Sequence, residues 1–191
     1  MNNLLRGVNL YLVGMMGAGK TTLGRHLATQ LGYKFIDTDA AIASFTRKSI
    51  SQLFAEVGEA EFRQLESQVL AKVSCYTNLT IATGGGIVLR RENWGYLHYG
   101  LVVWLDVPVE QLYLRLRSDT TRPLLQNVEE PQELLRSLLK QRQPLYAQAD
   151  LRVTVGGEET PEQLATRVIE LIPTVLLERA GEQGSRLRQG E

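Results

Sequence analysis

The run Gly14-Met15-Met16-Gly17-Ala18-Gly19-Lys20-Thr21 combines residue types and a spacing, G-x-x-x-x-G-K-[ST], that suit phosphate chemistry. Glycines within it allow φ > 0 and bring backbone N–H groups close to phosphate oxygens, since no Cβ stands in the way. Those N–H groups, and the start of a following helix, aim partial positive charge at an anion. Lys20 has the reach for β- and γ-phosphates, and the Thr21 hydroxyl suits Mg²⁺. Gly17, Ala18, Gly19, Lys20, Thr21 and Thr22 are therefore the expected contacts to a nucleoside triphosphate. A glycine-rich turn with an incidental lysine is the competing reading. The apolar run Val8–Val13 before the motif and the helix-like Thr22–Ala28 after it argue against that.

Other residues choose among phosphate-loop proteins. A GTPase needs a D-x-x-G switch and an N-K-x-D base-reading motif, and the sequence has neither. That leaves small-molecule kinases, which must hold a second substrate in line with the γ-phosphate. Asp37-Thr38-Asp39 follows the second apolar run, where a strand end would turn both carboxylates toward the phosphates. Asp37 suits Mg²⁺, through water or by assisting Thr21, because Mg²⁺ keeps several waters and takes few protein ligands. Asp39 is placed to accept a hydrogen bond from a substrate hydroxyl and take up its proton. It could at the same time cap a helix beginning Ala40-Ala41-Ile42.

In Glu61-Phe62-Arg63-Gln64-Leu65-Glu66, Arg63 could clamp a carboxylate. Taken alone, it reads better as a salt bridge to Glu59 or Glu66 at helical spacing. Gly84-Gly85-Gly86 ends the third apolar run and suggests backbone shaped for close approach of a ligand, with a flexible turn as the alternative. Ser118-Asp119-Thr120-Thr121-Arg122 is polar and lies between two helical segments. A mobile cationic loop there can close over the phosphates and exclude water.

The elements that must position these residues alternate along the chain. Leu10–Val13, Lys34–Asp37, Leu79–Thr83, Leu101–Leu105 and Leu151–Val155 read as about five buried strands. Helices are expected over Thr21–Leu31, Glu59–Val73, Val109–Arg117, Pro131–Ala149 and Pro161–Ile172, with Pro144 kinking the fourth. Strands separated by helices imply parallel pairing, hence an α/β fold of three layers with the phosphate loop at the sheet's C-terminal edge. The 191 residues suit one domain, expected over 1–177, and the polar, aperiodic stretch 178–191 reads as a disordered tail. Formal net charge is zero, which gives no reason to expect nucleic acid or an anionic membrane as partner. Cys75 is the only cysteine, no run is long enough to span a bilayer, and the first residues lack a signal-peptide pattern, so a cytoplasmic protein is expected.

Together these pieces resemble shikimate kinase. G-M-M-G-A-G-K-T, D-T-D, F-R-x-x-E and the strand-ending G-G-G occur in that family's order and spacing. So do Arg122-Pro123-Leu124-Leu125, like the family's lid, and Arg142-Gln143-Pro144-Leu145-Tyr146, like its R-x-x-x-Y. The resemblance covers about residues 7–172. It implies a phosphate-loop fold like that of nucleoside monophosphate kinases, with five parallel strands and a mobile lid. It implies transfer of the ATP γ-phosphate to the 3-hydroxyl of shikimate, with Mg²⁺ as cofactor, in the route to aromatic amino acids. By this likeness Lys20 and Thr21 handle phosphate and Mg²⁺, with Asp37 near the metal. Asp39 holds the shikimate hydroxyls and is the candidate base. Arg63 and Arg142 clamp the carboxylate, Gly85 and Gly86 offer backbone contacts, and Arg122 swings in from the lid toward the transferring group. Arg117 is the residue for stacking on the base, with Arg115 two positions away. Glu158 and Glu159 stand where some family members carry arginine. Shikimate and ATP are the expected partners, and the chain is expected to be a monomer. A gluconate or nucleoside monophosphate kinase is one rival reading, and a non-catalytic relative is another.

Overall fold

The computed structural model describes residues 4–117, 128–156 and 159–188, with 178–188 described by backbone alone. Its centre is β1 (Leu10–Val13), in which every residue is buried. Tyr11 points to one side of the sheet, where its hydroxyl and that of Ser74 hydrogen-bond at 2.9 Å. Leu12 points to the other, where a Cβ built on Gly24 would sit 3.2 Å from its Cδ1. Both faces are thus covered, which is why this strand reads as a continuous apolar run and not as an alternation.

Four strands join β1 in one fully parallel sheet. They are β2 (Lys34–Asp37), β3 (Leu79–Ala82), β4 (Leu101–Asp106) and β5 (Leu151–Thr154), in the order β2-β3-β1-β4-β5. Leu10 pairs with Thr80 of β3 on one side and Leu101 of β4 on the other. Every strand expected from the sequence is present, with boundaries shifted by no more than a residue. Parallel pairing requires crossovers, supplied by α1 (Lys20–Leu31), α2 (Thr38–Thr46), α3 (Ile50–Ser74), α4 (Arg91–Leu97), α5 (Val109–Leu116) and α6 (Pro131–Tyr146), while α7 (Pro161–Arg188) follows the last strand. Helices α1 and α7 pack together, while α3 places Leu70 and Val73 in the core beneath Tyr11. No helix among the described residues is long and apolar enough to cross a membrane.

The helices depart from the sequence reading in identifiable ways. Helix α3 begins well before Glu59, at a capping box in which Ser49 and Gln52 satisfy each other's backbone N–H groups. It breaks at Gly58 (φ 78°, ψ 174°), and the expected helix is its second half. Helix α2 starts at Thr38, and its cap is Asp37 rather than Asp39. Helix α6 stops at Tyr146, and Pro144 lies in its last turn, where a missing N–H removes a bond close to the natural end. Helix α7 continues to Arg188, so the stretch from Glu178, read as disordered from its polarity, is helical through Arg188. Glu, Arg, Ala, Gln and Leu are good helix formers, and lengthening an existing helix needs no new nucleus.

Leu12 is fully buried between two layers of helices. Replacing it by alanine is expected to lower stability by about 2–5 kcal/mol, read as a fall in the urea midpoint with unchanged m-value.

Candidate active site

The chain leaves β1 directly into the phosphate loop. At Gly14 (φ 140°) a Cβ would lie 2.6 Å from the carbonyl oxygen of Leu105 on β4, so the loop can start its turn only with a residue lacking a side chain. Helix α1 then begins at Lys20 with Gly19 as its cap; no side chain caps it and its first turn holds no carboxylate. Its leading N–H groups are left to face an anion. Lys20 is buried, and its ammonium is folded back onto the carbonyl oxygens of Gly14 and Met15, at 2.9 and 2.8 Å.

Asp37, at the end of β2, ties two elements together. The Thr21 hydroxyl donates to its Oδ2 at 2.6 Å, and its Oδ1 accepts the backbone N–H groups of Asp39 and Ala40 at 3.0 and 3.2 Å. A threonine hydroxyl beside one carboxylate oxygen is the hard-oxygen donor set that Mg²⁺ accepts when phosphates and water complete its shell. Among the described residues no three His, Cys, Asp or Glu converge as a metal cluster.

Two cavities open on this edge of the sheet. The larger, about 1080 Å³, is lined by the phosphate loop, Asp37 and Asp39, and by Pro161 and Leu164 from the β5–α7 connection. The smaller, about 60 Å³, is lined by Phe54, Phe62, Arg63, Glu66 and Arg142 together with Gly84, Gly85 and Gly86. Met16, Asp39 and Gly85 belong to both. A carboxylate thus stands at the junction of a phosphate-binding cleft and a pocket holding two guanidinium groups.

The triglycine turn is what permits this crowding. A methyl on Gly84 would overlap Glu66 Oε1 and come within 2.9 Å of Asp39 Oδ1, and one on Gly86 would overlap the Arg63 guanidinium. The Gly85 carbonyl accepts the Tyr146 hydroxyl at 2.6 Å and Arg142 Nη1 at 3.3 Å. Burial raises the Tyr146 phenol to about 12, so it stays a donor at neutral pH. Arg142 is 3 % exposed, and its buried Nε has no hydrogen-bond partner among the described residues. A buried guanidinium with an N–H left over calls for an acceptor from a ligand. Arg63 makes both ion pairs expected from its spacing, to Glu66 at 2.6 Å and Glu59 at 3.1 Å, and still lines the pocket. The salt-bridge reading of the sequence is thus met in the structure, with the guanidinium on the wall of the smaller pocket.

Comparison with known proteins decides what kind of kinase site this is. The shikimate kinase family model matches residues 16–173. A shikimate kinase from Nostoc sp. is 66% identical over 180 residues, 94% of this chain and 99% of that one. The chain belongs to the shikimate kinase family. Among solved structures, a shikimate kinase from Acinetobacter baumannii in complex with shikimate is 43% identical, with a TM-score of 0.84, covering 87% of this chain and 93% of that one. A gluconokinase from Sinorhizobium meliloti shares the fold alone, at 16% identity and a TM-score of 0.54.

Of the residues that the shikimate kinase likeness singles out, the structure brings Lys20, Thr21, Asp37, Asp39, Arg63, Gly85, Gly86 and Arg142 to one edge of the sheet. Arg122 and the lid around it lie outside the described residues. Arg117 is not among the residues lining the larger cavity; Arg115 is, donating from Nη1 to the carbonyls of Gly17 and Ala18 at 3.2 and 3.3 Å. Arg117 ends helix α5 as its cap and is exposed. Two positions along a helix is about 200° of rotation, so only one of the pair can face the loop. Glu159 lines the cleft too, ion-paired to Arg167 at 2.7 Å. Glu158 lies outside the described residues. Sequence reasoning named Glu66 only as a salt-bridge partner of Arg63 and gave Tyr146 no role, although both stand inside motifs it quoted; the four-residue spacing of Tyr146 from Arg142 was the available signal.

Gly86→Ala is expected to displace the Arg63 guanidinium and weaken binding in the smaller pocket by about tenfold or more, as loss of a charge-assisted hydrogen bond does. Nucleotide affinity should stay nearly unchanged, and separate titrations of the two ligands check both statements.

Proposed function

We propose that this chain phosphorylates shikimate at its 3-hydroxyl, using ATP and releasing ADP and shikimate 3-phosphate. The observation that carries the reading is the shared wall of the two cavities: Asp39 and Gly85 line both, with Arg63 and Arg142 only in the smaller. A ring bearing one carboxylate and several hydroxyls needs cations at one side and an acceptor for its hydroxyls at the other. Arg142 offers its leftover N–H to the carboxylate, and Arg63 adds a second guanidinium. Asp39, facing the phosphate loop, orients the reacting hydroxyl and accepts its proton. Because the transition state of phosphoryl transfer is loose, alignment and charge stabilisation supply most of the acceleration.

Loop N–H groups, the start of α1 and the released Lys20 ammonium hold the phosphates. Thr21 and Asp37 would hold Mg²⁺, which when bound supplies positive charge to the β- and γ-phosphate oxygens. The guanidinium of Arg115, with Pro161 and Leu164, offers a surface for the base in place of Arg117. Arg122 closes from the lid and neutralises charge on the moving group. Residues 1–177 act as one kinase unit, monomeric and cytoplasmic, with no nucleic-acid or membrane partner. Gluconate is the less suitable acceptor: it is an open chain, whereas the smaller pocket is narrow and walled by Phe54 and Phe62.

Release of ADP from MgATP in a coupled assay should depend on shikimate and vanish in Lys20→Ala. Release with gluconate or a nucleotide, and not with shikimate, would overturn the choice of acceptor. Asp39→Asn is expected to lower kcat by about 10²-fold or more and leave the dissociation constant for ATP unchanged. Near-normal turnover in that variant removes Asp39 from the proton-transfer step.

A further inference from the structure

Glu66 is a buried carboxylate that the reaction itself does not use. It is 1 % exposed, lies on α3, and its Oε2 accepts Arg63 Nη1 at 2.6 Å. Its other oxygen rests against Gly84, the same glycine that Asp39 of α2 approaches. From α6, Arg142 and Tyr146 face it as well. On the outer side of Arg63 stands Glu59, half exposed, accepting from Nε and Nη2 at 3.3 and 3.1 Å.

The charges of this pocket balance before any ligand arrives: two guanidiniums, Arg63 and Arg142, against two carboxylates, Asp39 and Glu66. An incoming carboxylate brings a further negative charge to Arg63, three of whose five N–H groups already go to Glu59 and Glu66. Glu59 can give up its share and turn into water at little cost. Glu66 has no such route, and a third negative charge in a buried pocket with two positive ones is strongly disfavoured.

We infer that an anionic acceptor enters this pocket together with one proton, taken from solvent, which ends on the carboxylate of Glu66. The acceptor's charge is thereby compensated, and Arg63 turns from an internal ion pair to the ligand. Asp39 keeps its charge for the reacting hydroxyl. Glu66 is in this sense a positioning residue: it acts through Arg63 and touches no reacting atom. The inference rests on the acceptor reading given above. Burial already holds the Glu66 carboxyl up at about 7, against the pull of Arg63, so the last increment needed to protonate it at neutral pH is small.

The direction of the pH effect follows by linkage. The ligand raises the Glu66 pKa further, so affinity is highest below about 7. It falls, by up to about tenfold per pH unit, as pH rises between the free and bound values.

The test is calorimetric titration of the full-length protein with shikimate at pH 7.5, with and without MgADP, in two buffers of different ionisation enthalpy. Uptake of up to about three-quarters of a proton per shikimate is expected at that pH, since about a quarter of Glu66 is already protonated, with the dissociation constant rising several-fold between pH 6.5 and 8.5. Glu66→Gln, which mimics the protonated form, should bind with no proton uptake and with affinity flat across that range. In the wild-type protein carrying ¹³C-labelled glutamate, binding should produce a protonated-carboxyl infrared band that shifts with the label; this reading does not depend on any variant folding. Binding with no proton taken up, or a band that ignores the glutamate label, would overturn the inference and leave the acceptor assignment standing. Absence of both binding heat and shikimate-dependent ADP release would overturn the acceptor assignment, and this inference with it.

Discussion

Everything at the functional edge depends on a stretch of backbone passing where side chains cannot. Gly84, Gly85 and Gly86 run between the phosphate loop and the acceptor pocket, with Glu66 and Asp39 against the first glycine and Arg63 against the third. A Cβ on the middle one would meet the phosphate loop itself, 3.2 Å from Met16 N. Its carbonyl meanwhile fixes Tyr146 and Arg142 from α6. At this strip α3, α6 and the loop after β1 come together, and the Tyr146 hydroxyl lies 3.8 Å from Met15 Sδ as well. The separation of the two cavities is set by a strip of peptide.

Opposite charges are managed differently on the two sides of that strip. On the phosphate side the protein supplies fixed dipoles and one long cation, whose ammonium rests on two carbonyl oxygens of its own loop. On the acceptor side the cations are guanidiniums, planar and rigid: Arg63 is paired with carboxylates buried to different degrees, and Arg142 donates to the Gly85 carbonyl. Fixed geometry suits a rigid ring, whereas a flexible ammonium suits phosphates of variable position.

Much of this was legible in the residues. The strands were, since buried parallel strands leave continuous apolar runs bounded by turns, and the phosphate loop was, because its glycines and lysine have no other common use at that spacing. The first half of α3 was overlooked although Ser49 and Gln52 form a capping box that the sequence displays. Helix α7 beyond Glu178 was misread because polarity was taken as disorder, when polarity and helix propensity are independent properties. At the site, Asp37 and Asp39 were both recognised, but the choice of which one caps α2 rests on a two-residue shift in where the helix begins. Arg115 against Arg117 is the same difficulty in a helix: the sequence carries two arginines, and only the rotation of α5 about its axis selects one. Glu66 could be named as a salt-bridge partner but not as buried, because burial there is created by α2 and α6 closing over it from far along the chain.

The sole cysteine carries a practical consequence. Cys75 ends α3 just before β3 begins, on the edge of the sheet opposite the phosphate loop, and its thiol is exposed. A single reactive handle at the far pole means that the protein can be tethered to a surface or a bead in one orientation, with its catalytic mouth turned outward to the solution.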